Sequence, residues 1–417
     1  MLGPIAYRLS RPTKRRRTRV RFIGSKEMLL HEVAAVLRRS IGEKPARVGD
    51  LFTGSASVAR LLKSLGHTVV ANDNLRLGYV LATATLAVDC EPSFAHLLRA
   101  RAVVAPTKLL LGTPYDRVLE HLNSLPPEDG FFFREYSPEG APRDGPPRRY
   151  FTHQNARKID AIRKALREWD RAGLLGEPDL CLLLADLVRA TNSVASIAGT
   201  YGCFMKHWDP RALRPLVLTR SVITPGSRPH RVYCTDANSL VRKLGFDVVY
   251  LDPPYTWRHY GAYYHILETL ACQDEPVVSG KTGLRSWGAS KSAYCHRQRA
   301  ATALCDLIGA LSARHIILSY SSDGLIPHDV ILGALRSRGD PDYTEVAYRR
   351  YRSHAGKTRS TVSERIYHVK VETGPRPRHR HDTLLADSAQ PGPPATCRQL
   401  RRRPWGTGSL RYQKQTQ

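Results

Sequence analysis

The stretch that decides the interpretation of this chain is Phe246-Asp-Val-Val-Tyr-Leu-Asp-Pro-Pro-Tyr255. Its apolar part is short, rich in β-branched residues and bounded by turn residues, which is typical of a strand buried inside a sheet. Asp252 follows where this strand ends. Because ligands of open α/β sheets bind outside the carboxyl ends of the strands, the pattern predicts an acidic functional residue at that edge.

Two prolines shape the turn that follows Asp252. Pro253 and Pro254 fix the dihedral φ and donate no N–H, so the carbonyl of Pro253 is left to point into a pocket beside the carboxylate. Two neighbouring acceptors suit an NH2 group such as the exocyclic amine of a base, and the ring of Tyr255 can stack on that base once it is flipped out. The alternative is a tight turn without a chemical role.

A second informative segment covers residues 47–60, with the sequence RVGDLFTGSASVAR. It predicts a strand, a turn of small residues and an amphipathic helix. Gly54, Ser55 and Ala56 let the backbone approach a bound cofactor closely, and the amides at the start of the helix can bind a carboxylate. An ordinary turn between a strand and a helix is the alternative.

The strand predicted next ends in Asp73, about 20 residues after the small-residue turn. At this spacing a carboxylate can bind the hydroxyls of a ribose. The alternative is that Asp73 caps the helix that follows, a common position for aspartate. The two roles are compatible.

Together these segments resemble the Dam-like, alpha-group family of adenine-N6 DNA methyltransferases. In that family a cofactor loop of the Phe-x-Gly-x-Gly type precedes the recognition region, and Asp-Pro-Pro-Tyr follows it. The resemblance runs from about residue 21 to 371. It includes RFIGSK at 21–26, DLFTG at 50–54 and VAND at 70–73, besides the catalytic motif.

The resemblance implies S-adenosylmethionine as the cofactor, the N6 amine of a flipped-out adenine as the methyl acceptor, and no metal. The positions that match the catalytic motif are Asp252, Pro253, Pro254 and Tyr255. Those that match the cofactor motifs are Phe22, Lys26, Asp50, Phe52, Thr53, Gly54, Ser55, Ala56, Asp73, Asp236 and Ala237. Asp252 is expected to orient the amine, because a carboxylate of pKa ~4 is too weak a base to deprotonate it.

The chain departs from the family pattern at Ala56, where a glycine-like residue is often found. Alanine would crowd the cofactor there only if the position needs a positive φ, which alanine tolerates poorly. We therefore expect the fold to be kept and any effect to fall on cofactor affinity.

The charge balance predicts a polyanionic partner. Lysine and arginine number 64 against 37 acidic residues, a net charge of +27. Residues 1–21 hold +8 and residues 374–417 hold +7, so the body between them keeps +12. Such a surplus favours binding to the phosphates of double-stranded DNA. A compositional bias towards arginine is the alternative.

Several basic residues stand beside aromatic or glycine-rich segments, as in surfaces that bind nucleic acid. The predicted DNA contacts are Arg148, Arg149, Lys206, Arg349, Arg350, Arg352, Lys357 and Arg359. The last five belong to a predicted hairpin, whose alternative role is an exposed sheet edge protected by charge. Basic helical faces such as that of residues 155–169 are usually only solvated.

The expected fold is a discontinuous, doubly wound α/β domain built from residues 22–76 and 231–373. Residues 77–230 are predicted to form an inserted, largely helical target-recognition region. The basic arm 1–21 and the basic tail 374–417 lack hydrophobic periodicity and are predicted to be disordered.

The remaining predictions concern setting and alternatives. The chain has neither a signal peptide nor an apolar run of the ~18 residues that span a bilayer, so a cytoplasmic, nucleoid-associated monomer is expected. Its eight cysteines show no zinc or disulfide spacing. A restriction endonuclease acting on the same site is a possible partner. The competing functions are methylation of cytosine N4 or of an RNA amine, and a catalytically silent DNA-binding regulator.

Overall fold

The fold is described by a computed structural model for residues 26–103, 112–140, 147–286, 292–349 and 361–372. Phe22, the predicted arm 1–21 and the predicted tail 374–417 lie outside these residues. Within them the main strands are β1 (Arg47–Asp50), β2 (Thr68–Asp73), β3 (Arg231–Cys234), β4 (Gly245–Leu251), β7 (Ser312–Ser321), β8 (Pro341–Arg349) and β9 (Thr361–Lys370), and the short strands β5 (Val278–Ser279) and β6 (Leu284–Arg285) form a separate hairpin.

The central sheet of the described residues has seven strands in the order β3-β2-β1-β4-β7-β9-β8. The first five strands of this order run parallel, whereas β9 is antiparallel to both β7 and β8. The chain leaves β1 towards β2 on one side and later returns to β4 on the other, which opens a crevice at the carboxyl ends of β1 and β4. The prediction of a doubly wound α/β fold is confirmed.

Helices cover the sheet, and the part of the sequence that connects β2 to β3 is mainly helical. Those of the described residues are α1 (Leu30–Ile41), α2 (Ser57–Ser64), α3 (Arg76–Leu86), α4 (Ala95–Arg99), α5 (Pro114–Ser124), α6 (Phe131–Tyr136), α7 (His153–Arg171), α8 (Glu177–Ser193), α9 (Ala237–Val241), α10 (Tyr260–Cys272), α11 (Ala300–Ala310) and α12 (His328–Arg336). Short 3-10 helices cover Lys26–Met28 and Ala293–Cys295. No helix of the described residues is both long and apolar enough to cross a membrane.

The sheet packs closely because small residues stand where neighbouring strands carry large ones. A Cβ atom at position 49 would come within 2.9 Å of the ring of Phe246, so glycine is needed there for β1 and β4 to pair. Val48 and Val248 face each other in this pair, and both are fully buried. The predicted core strand therefore lies at the centre of the sheet.

The helices predicted near residues 155–169 and 180–197 are present as α7 and α8. The former begins at His153 because the side chain of Thr152 accepts a hydrogen bond from the amide of Asn155. The latter packs on α3 and α10, and its apolar residues continue the hydrophobic core of the sheet. The separation of 77–230 as a recognition region stays a prediction.

Candidate active site

A cleft of about 1030 Å³, including the open solvent at its mouth, lies at the carboxyl ends of the parallel strands. The residues predicted from the motifs that line it are Lys26, Asp50, Phe52, Thr53, Gly54, Ser55, Asp73, Asp236, Ala237, Asp252 and Pro254. Ala56, Pro253 and Tyr255 are chain neighbours of lining residues. Two motifs about 200 residues apart in sequence thus share one cavity.

The register of the sheet explains how three carboxylates meet there. Asp50, the last residue of β1, stands opposite Ala71 of β2 and Tyr250 of β4. Two residues beyond these partners stand Asp73, the last residue of β2, and Asp252, the first residue after β4. Since these strands are parallel, all three acids project from the same edge of the sheet.

Backbone amides hold Asp73 in place. Its Oδ2 accepts a hydrogen bond from the amide of Gly54 at 2.8 Å, and its Oδ1 accepts one from the amide of Leu75 at 2.8 Å. Burial raises the pKa of this carboxyl, although the same amide bonds oppose the shift. Asp73 therefore orders both the small-residue turn and the start of α3, close to the capping role considered as an alternative.

Ala56 has a left-handed backbone, with φ of 58°, directly before α2. This is the conformation that alanine tolerates poorly, so the condition under which the departure from the family pattern matters is met in the backbone. Its side chain is buried and does not line the cleft. The strain is therefore kept inside the turn.

Asp50 has one oxygen in use and one to spare. The hydroxyl of Thr53 donates to Oδ2 at 2.9 Å, whereas Oδ1 has no hydrogen-bond partner among the described residues. Burial raises the pKa of Asp50 from 3.8 to about 7. A buried acceptor on the wall of the cleft fits a cationic group of a ligand, such as the ammonium of an amino acid moiety.

Asp252 is held by a lysine that a second acid shares. The Lys26 ammonium lies 2.9 Å from Oδ1 of Asp252 and 2.7 Å from Oε1 of Glu364. The side chain of Lys26 is 4% exposed, that of Glu364 1% and that of Asp252 16%. Lys26 also lines the cleft, and its predicted contact with the cofactor stays a prediction.

The pKa values of Asp252 and Lys26 both differ from the ordinary values of these side chains. Burial raises the pKa of Asp252 to about 7, against the opposing charge of Lys26, and the charge of Glu364 adds to the rise. Burial alone would lower the pKa of Lys26, but the two carboxylates outweigh it and raise that pKa well above 10.5. The ammonium thus stays charged, and the pKa of Asp252, like that of Asp50, lies near neutral pH.

An aromatic group stands next to this cluster. The ring centroid of Tyr255 lies 5.5 Å from the ammonium of Lys26, and the ring meets that of Tyr320 edge-on at 6.3 Å. Its carbonyl accepts a hydrogen bond from the amide of Leu325. The ring is therefore fixed beside Asp252, where a planar group could lie against it.

The other end of the cleft is bounded by Asp236 and by aromatic rings. Oδ1 of Asp236 accepts from the amide of Ser239 at 2.9 Å, so the residue caps α9. The ring of Phe52 meets Tyr294 edge-on, with centroids 5.2 Å apart, and the Tyr294 hydroxyl donates to Asn238. Tyr294 was missed by the sequence interpretation because it lies in a short 3-10 helix outside any recognised motif.

Asn72 and Gly78, which the sequence interpretation missed, support the strand ends and Asp73. Asn72 donates its amide hydrogens to the carbonyls of Leu51 and Thr235 and so ties together the ends of three strands. A Cβ atom at Gly78 would come within 2.5 Å of Cβ and Oδ2 of Asp73, so only glycine lets α3 pass there. Neither role has a local sequence signal.

The predicted DNA contacts divide into internal and exposed residues. Arg148 is buried and forms an ion pair with Glu135 at 2.6 Å, so its charge is paired inside the fold, and its role as a DNA contact stays a prediction. Lys206 is exposed, and the guanidinium of Arg149 donates to its carbonyl. Arg349 ends β8, and the predicted contacts outside the described residues are Arg350, Arg352, Lys357 and Arg359.

Within the described residues, no group of three or more His, Cys, Asp or Glu side chains is arranged to hold a metal ion.

Comparison with known proteins agrees with this geometry. A family model described as D12 class N6 adenine-specific DNA methyltransferase matches residues 22–323, well over half of the chain. That range contains β1 to β4 and β7, which surround the cleft.

Curated relatives show the same likeness. The chain is 35% identical to the type II methyltransferase M.FokI of Planomicrobium okeanokoites over 85% of its own length and 53% of that protein, and 32% identical to the modification methylase StsI of Streptococcus sanguinis over 84% and 52%. It thus spans about half the length of these two. It is also 32% identical to the type II methyltransferase M.NlaIII of Neisseria lactamica over 81% of this chain and 94% of that one. The chain therefore belongs to the D12 class of N6 adenine-specific DNA methyltransferases.

Proposed function

We propose that the chain transfers a methyl group from S-adenosylmethionine to the N6 amine of an adenine flipped out of a specific short sequence in duplex DNA. The observation that carries this proposal is that Asp252 and Pro254 open into the same cleft as the small-residue turn at Gly54. A cofactor on that turn and an amine at Asp252 would meet inside one cavity. The motif order supports placing the chain in the alpha group of the family.

The residues of the cleft fit the cofactor. Oδ1 of Asp50 offers a buried acceptor to the ammonium of its methionine part, and the turn at Gly54 leaves room for close approach. Asp73 can add a ribose hydroxyl to its two amide bonds, because each carboxylate oxygen has two lone pairs. Asp236, Ala237 and the ring of Phe52 would enclose the adenine. When bound, the cofactor supplies an electrophilic methyl group on a sulfonium.

At the acceptor end Asp252 and the carbonyl of Pro253 would take the two hydrogens of the amine. This holds the nitrogen lone pair towards the methyl group, and alignment of this kind can contribute ~7 to 11 kcal/mol in favourable cases. As the N–CH3 bond forms and the S–CH3 bond breaks, the nitrogen becomes a strong acid. Asp252, with a pKa of about 7, is then basic enough to accept the surplus proton.

Partners follow from the same proposal. DNA would approach along the basic surface that includes the half-buried Arg149 and the exposed Lys206. The named relatives M.FokI and StsI are a type II methyltransferase and a modification methylase, which supports a restriction endonuclease acting on the same sequence as a partner. A single copy working at the nucleoid would suffice for the reaction.

The proposal is tested by incubating the protein with tritium-labelled S-adenosylmethionine and unmethylated genomic DNA, then digesting the DNA and separating the nucleosides. We expect label in N6-methyldeoxyadenosine, and none with the Asp252→Ala variant. Label in N4-methylcytosine would show that the acceptor is cytosine and not adenine. Label only in RNA would show that the substrate is RNA and not DNA. Cofactor binding without any product would favour the silent regulator.

A further inference from the structure

Glu364 lies on β9, which runs opposite to the other six strands of the described sheet. It lies near the start of β9, opposite Ser321 at the end of β7. Because β9 runs antiparallel to β7, its first residues stand at the edge where the parallel strands end. Leu318 of β7 is opposite Leu251 of β4, which brings that edge next to Asp252.

The contacts of Glu364 are specific. Its Oε1 lies 2.7 Å from the ammonium of Lys26 and accepts a hydrogen bond from the hydroxyl of Ser319 at 2.7 Å. Its side chain is almost wholly buried. Burying a carboxylate is costly unless it is paired, and Lys26 is already paired with Asp252.

The charge count of this cluster makes the arrangement unusual. One ammonium serves two carboxylates at nearly equal distances, 2.9 Å and 2.7 Å. A fold that needed only to neutralise Lys26 would keep Asp252 alone. With Glu364 present, the ammonium is shared, so it draws less electron density from Asp252 and leaves that carboxylate a better acceptor.

We propose that Glu364 is a positioning residue for Asp252: through Lys26 it fixes the orientation of the Asp252 carboxylate and preserves its strength as an acceptor. This inference rests on the proposed function of Asp252. The titratable groups around Asp252 are Lys26, Asp50, Tyr250, Tyr255, Tyr260 and Glu364. Among them only Glu364 both contacts the ammonium and lies outside the recognised motifs.

The test uses the Glu364→Gln variant of the full chain, which keeps the size of the side chain and removes its charge. Without the second acid, Lys26 acts on Asp252 alone and lowers its pKa, so the acid limb of the kcat profile should move to lower pH. The stronger pairing also weakens Asp252 as an acceptor, so the kcat plateau should fall about tenfold, the size of one charged hydrogen bond. The KM for S-adenosylmethionine should change less than about twofold.

Two further variants separate this role from a structural one. Glu345→Gln removes a carboxylate from the same sheet, where it pairs with Arg365 away from the cleft, and should leave the pH profile unchanged. Glu364→Asp keeps the charge and should restore the position of the acid limb even if kcat stays reduced. If Glu364→Gln is too unstable to assay, Ser319→Ala, which removes a competing donor from Oε1 of Glu364 and leaves its charge to Lys26, should shift the limb slightly in the opposite direction, and an unmoved limb would overturn the inference.

The outcomes are distinct. A wild-type protein that makes no methylated adenine overturns the proposed function. A wild-type protein that is active, with Glu364→Gln matching it in both plateau and acid limb, overturns the inference alone. A variant with lower thermal stability and lower kcat but an unmoved acid limb assigns Glu364 a purely structural role and also overturns it.

Discussion

Asp73 is the last residue of β2 and Asp252 directly follows β4, so both stand at the same edge of the sheet, yet different groups hold them. Asp73 accepts hydrogen bonds from two backbone amides, those of Gly54 and Leu75. Asp252 is held by the ammonium of Lys26, which also binds Glu364. One carboxylate is part of the backbone framework, and the other is part of a network of side-chain charges.

The difference shows how the same edge of a sheet can carry one carboxylate of fixed geometry and another whose charge can be tuned. Backbone amides do not titrate near neutral pH and cannot turn away, so the geometry of Asp73 is constant and suits the fixed shape of a cofactor. A side-chain network can be tuned by substitution and by pH. The pKa of Asp252, raised by burial to about 7, places its change of charge within the working range of an enzyme.

The largest effect is expected from Asp252→Asn, which replaces one acceptor oxygen with a donor. The rate of methyl transfer should fall at least ~10²-fold, comparable with the loss of a preorganised polar contact in other active sites. Because Lys26 and Glu364 then form a neutral pair, thermal stability at pH 8 should rise. Single-turnover kinetics and a melting curve measure the two effects.

Cofactor affinity is the control for Asp252→Asn. It should stay within about threefold of wild type by calorimetry, since Asp73 and Asp50 are untouched. A large loss of cofactor binding would mean that the two ends of the cleft are not separate and would break the comparison.

A smaller effect on the reaction, but a direct one on Asp73, is expected from Gly78→Ala. The added methyl group would displace the Asp73 carboxylate from its amide bonds. Loss of a hydrogen bond to a charged group costs ~1.5 to 3 kcal/mol, so the affinity for S-adenosylmethionine should fall about tenfold to a hundredfold. Calorimetric titration measures it.

Gly333→Ala is the matched control for Gly78→Ala. It lies inside α12 with no atom within 4 Å of the added methyl, so it should leave cofactor affinity unchanged and stabilise the helix by ~0.5 to 1 kcal/mol. Equal affinities for Gly78→Ala and wild type would show that Asp73 does not set the cofactor loop.

The sequence was sufficient where a role is local. The end of β4, the turn at Gly54 and the position of Asp73 follow from residues next to one another in the chain. Glu364 and Gly78 could not be found this way, because the first depends on the antiparallel register of β9 and the second on how closely α3 passes Asp73. Their signal lies in contacts, not in patterns.

Lys26 and Arg148 show a second limit. Lys26 was assigned from the family's opening motif as a cofactor contact, and Arg148 from its basic, aromatic segment as a DNA contact. In the structure each forms an ion pair with an acid outside that motif or segment, Lys26 with Glu364 and Arg148 with Glu135. A basic residue has the same sequence signature whether it faces solvent or a buried carboxylate. Only the packing of the surrounding elements decides.

Asp50 is intermediate between Asp73, whose oxygens both accept hydrogen bonds from backbone amides, and Asp252, which is held by a side-chain charge. Its Oδ2 accepts a hydrogen bond and its Oδ1 has no hydrogen-bond partner among the described residues. Burial raises its pKa from 3.8 to about 7, so it favours the folded state when protonated, and this contribution is lost as pH rises through 7. Asp50→Asn should remove that loss. Without cofactor, the free energy of unfolding of wild type should decline between pH 5 and 8 more steeply than that of the variant, by about 2.5 kcal/mol, since about two of the roughly three pH units between the ordinary and the raised pKa lie in this window.

Denaturant titrations at several pH values measure this difference. Parallel curves for wild type and Asp50→Asn would mean that Asp50 is ionised and satisfied at all pH values, like a carboxylate held by backbone amides. In the presence of S-adenosylmethionine the wild-type curve should flatten, because a bound ammonium would stabilise the ionised form.

The smallest effect concerns two basic residues, Lys206, which is exposed, and Arg148, which is buried in an ion pair with Glu135. Lys206 is exposed, so Lys206→Ala should weaken DNA binding a few-fold and reduce the slope of log affinity against log salt by ~0.9, the value for one phosphate contact. Arg148→Ala should leave that slope unchanged but lower the free energy of unfolding by ~2 kcal/mol, because Glu135 loses its partner. Fluorescence anisotropy at several salt concentrations measures the slopes. A reduced slope for Arg148→Ala with unchanged stability would return Arg148 to the DNA surface and reverse the assignment that its ion pair supports.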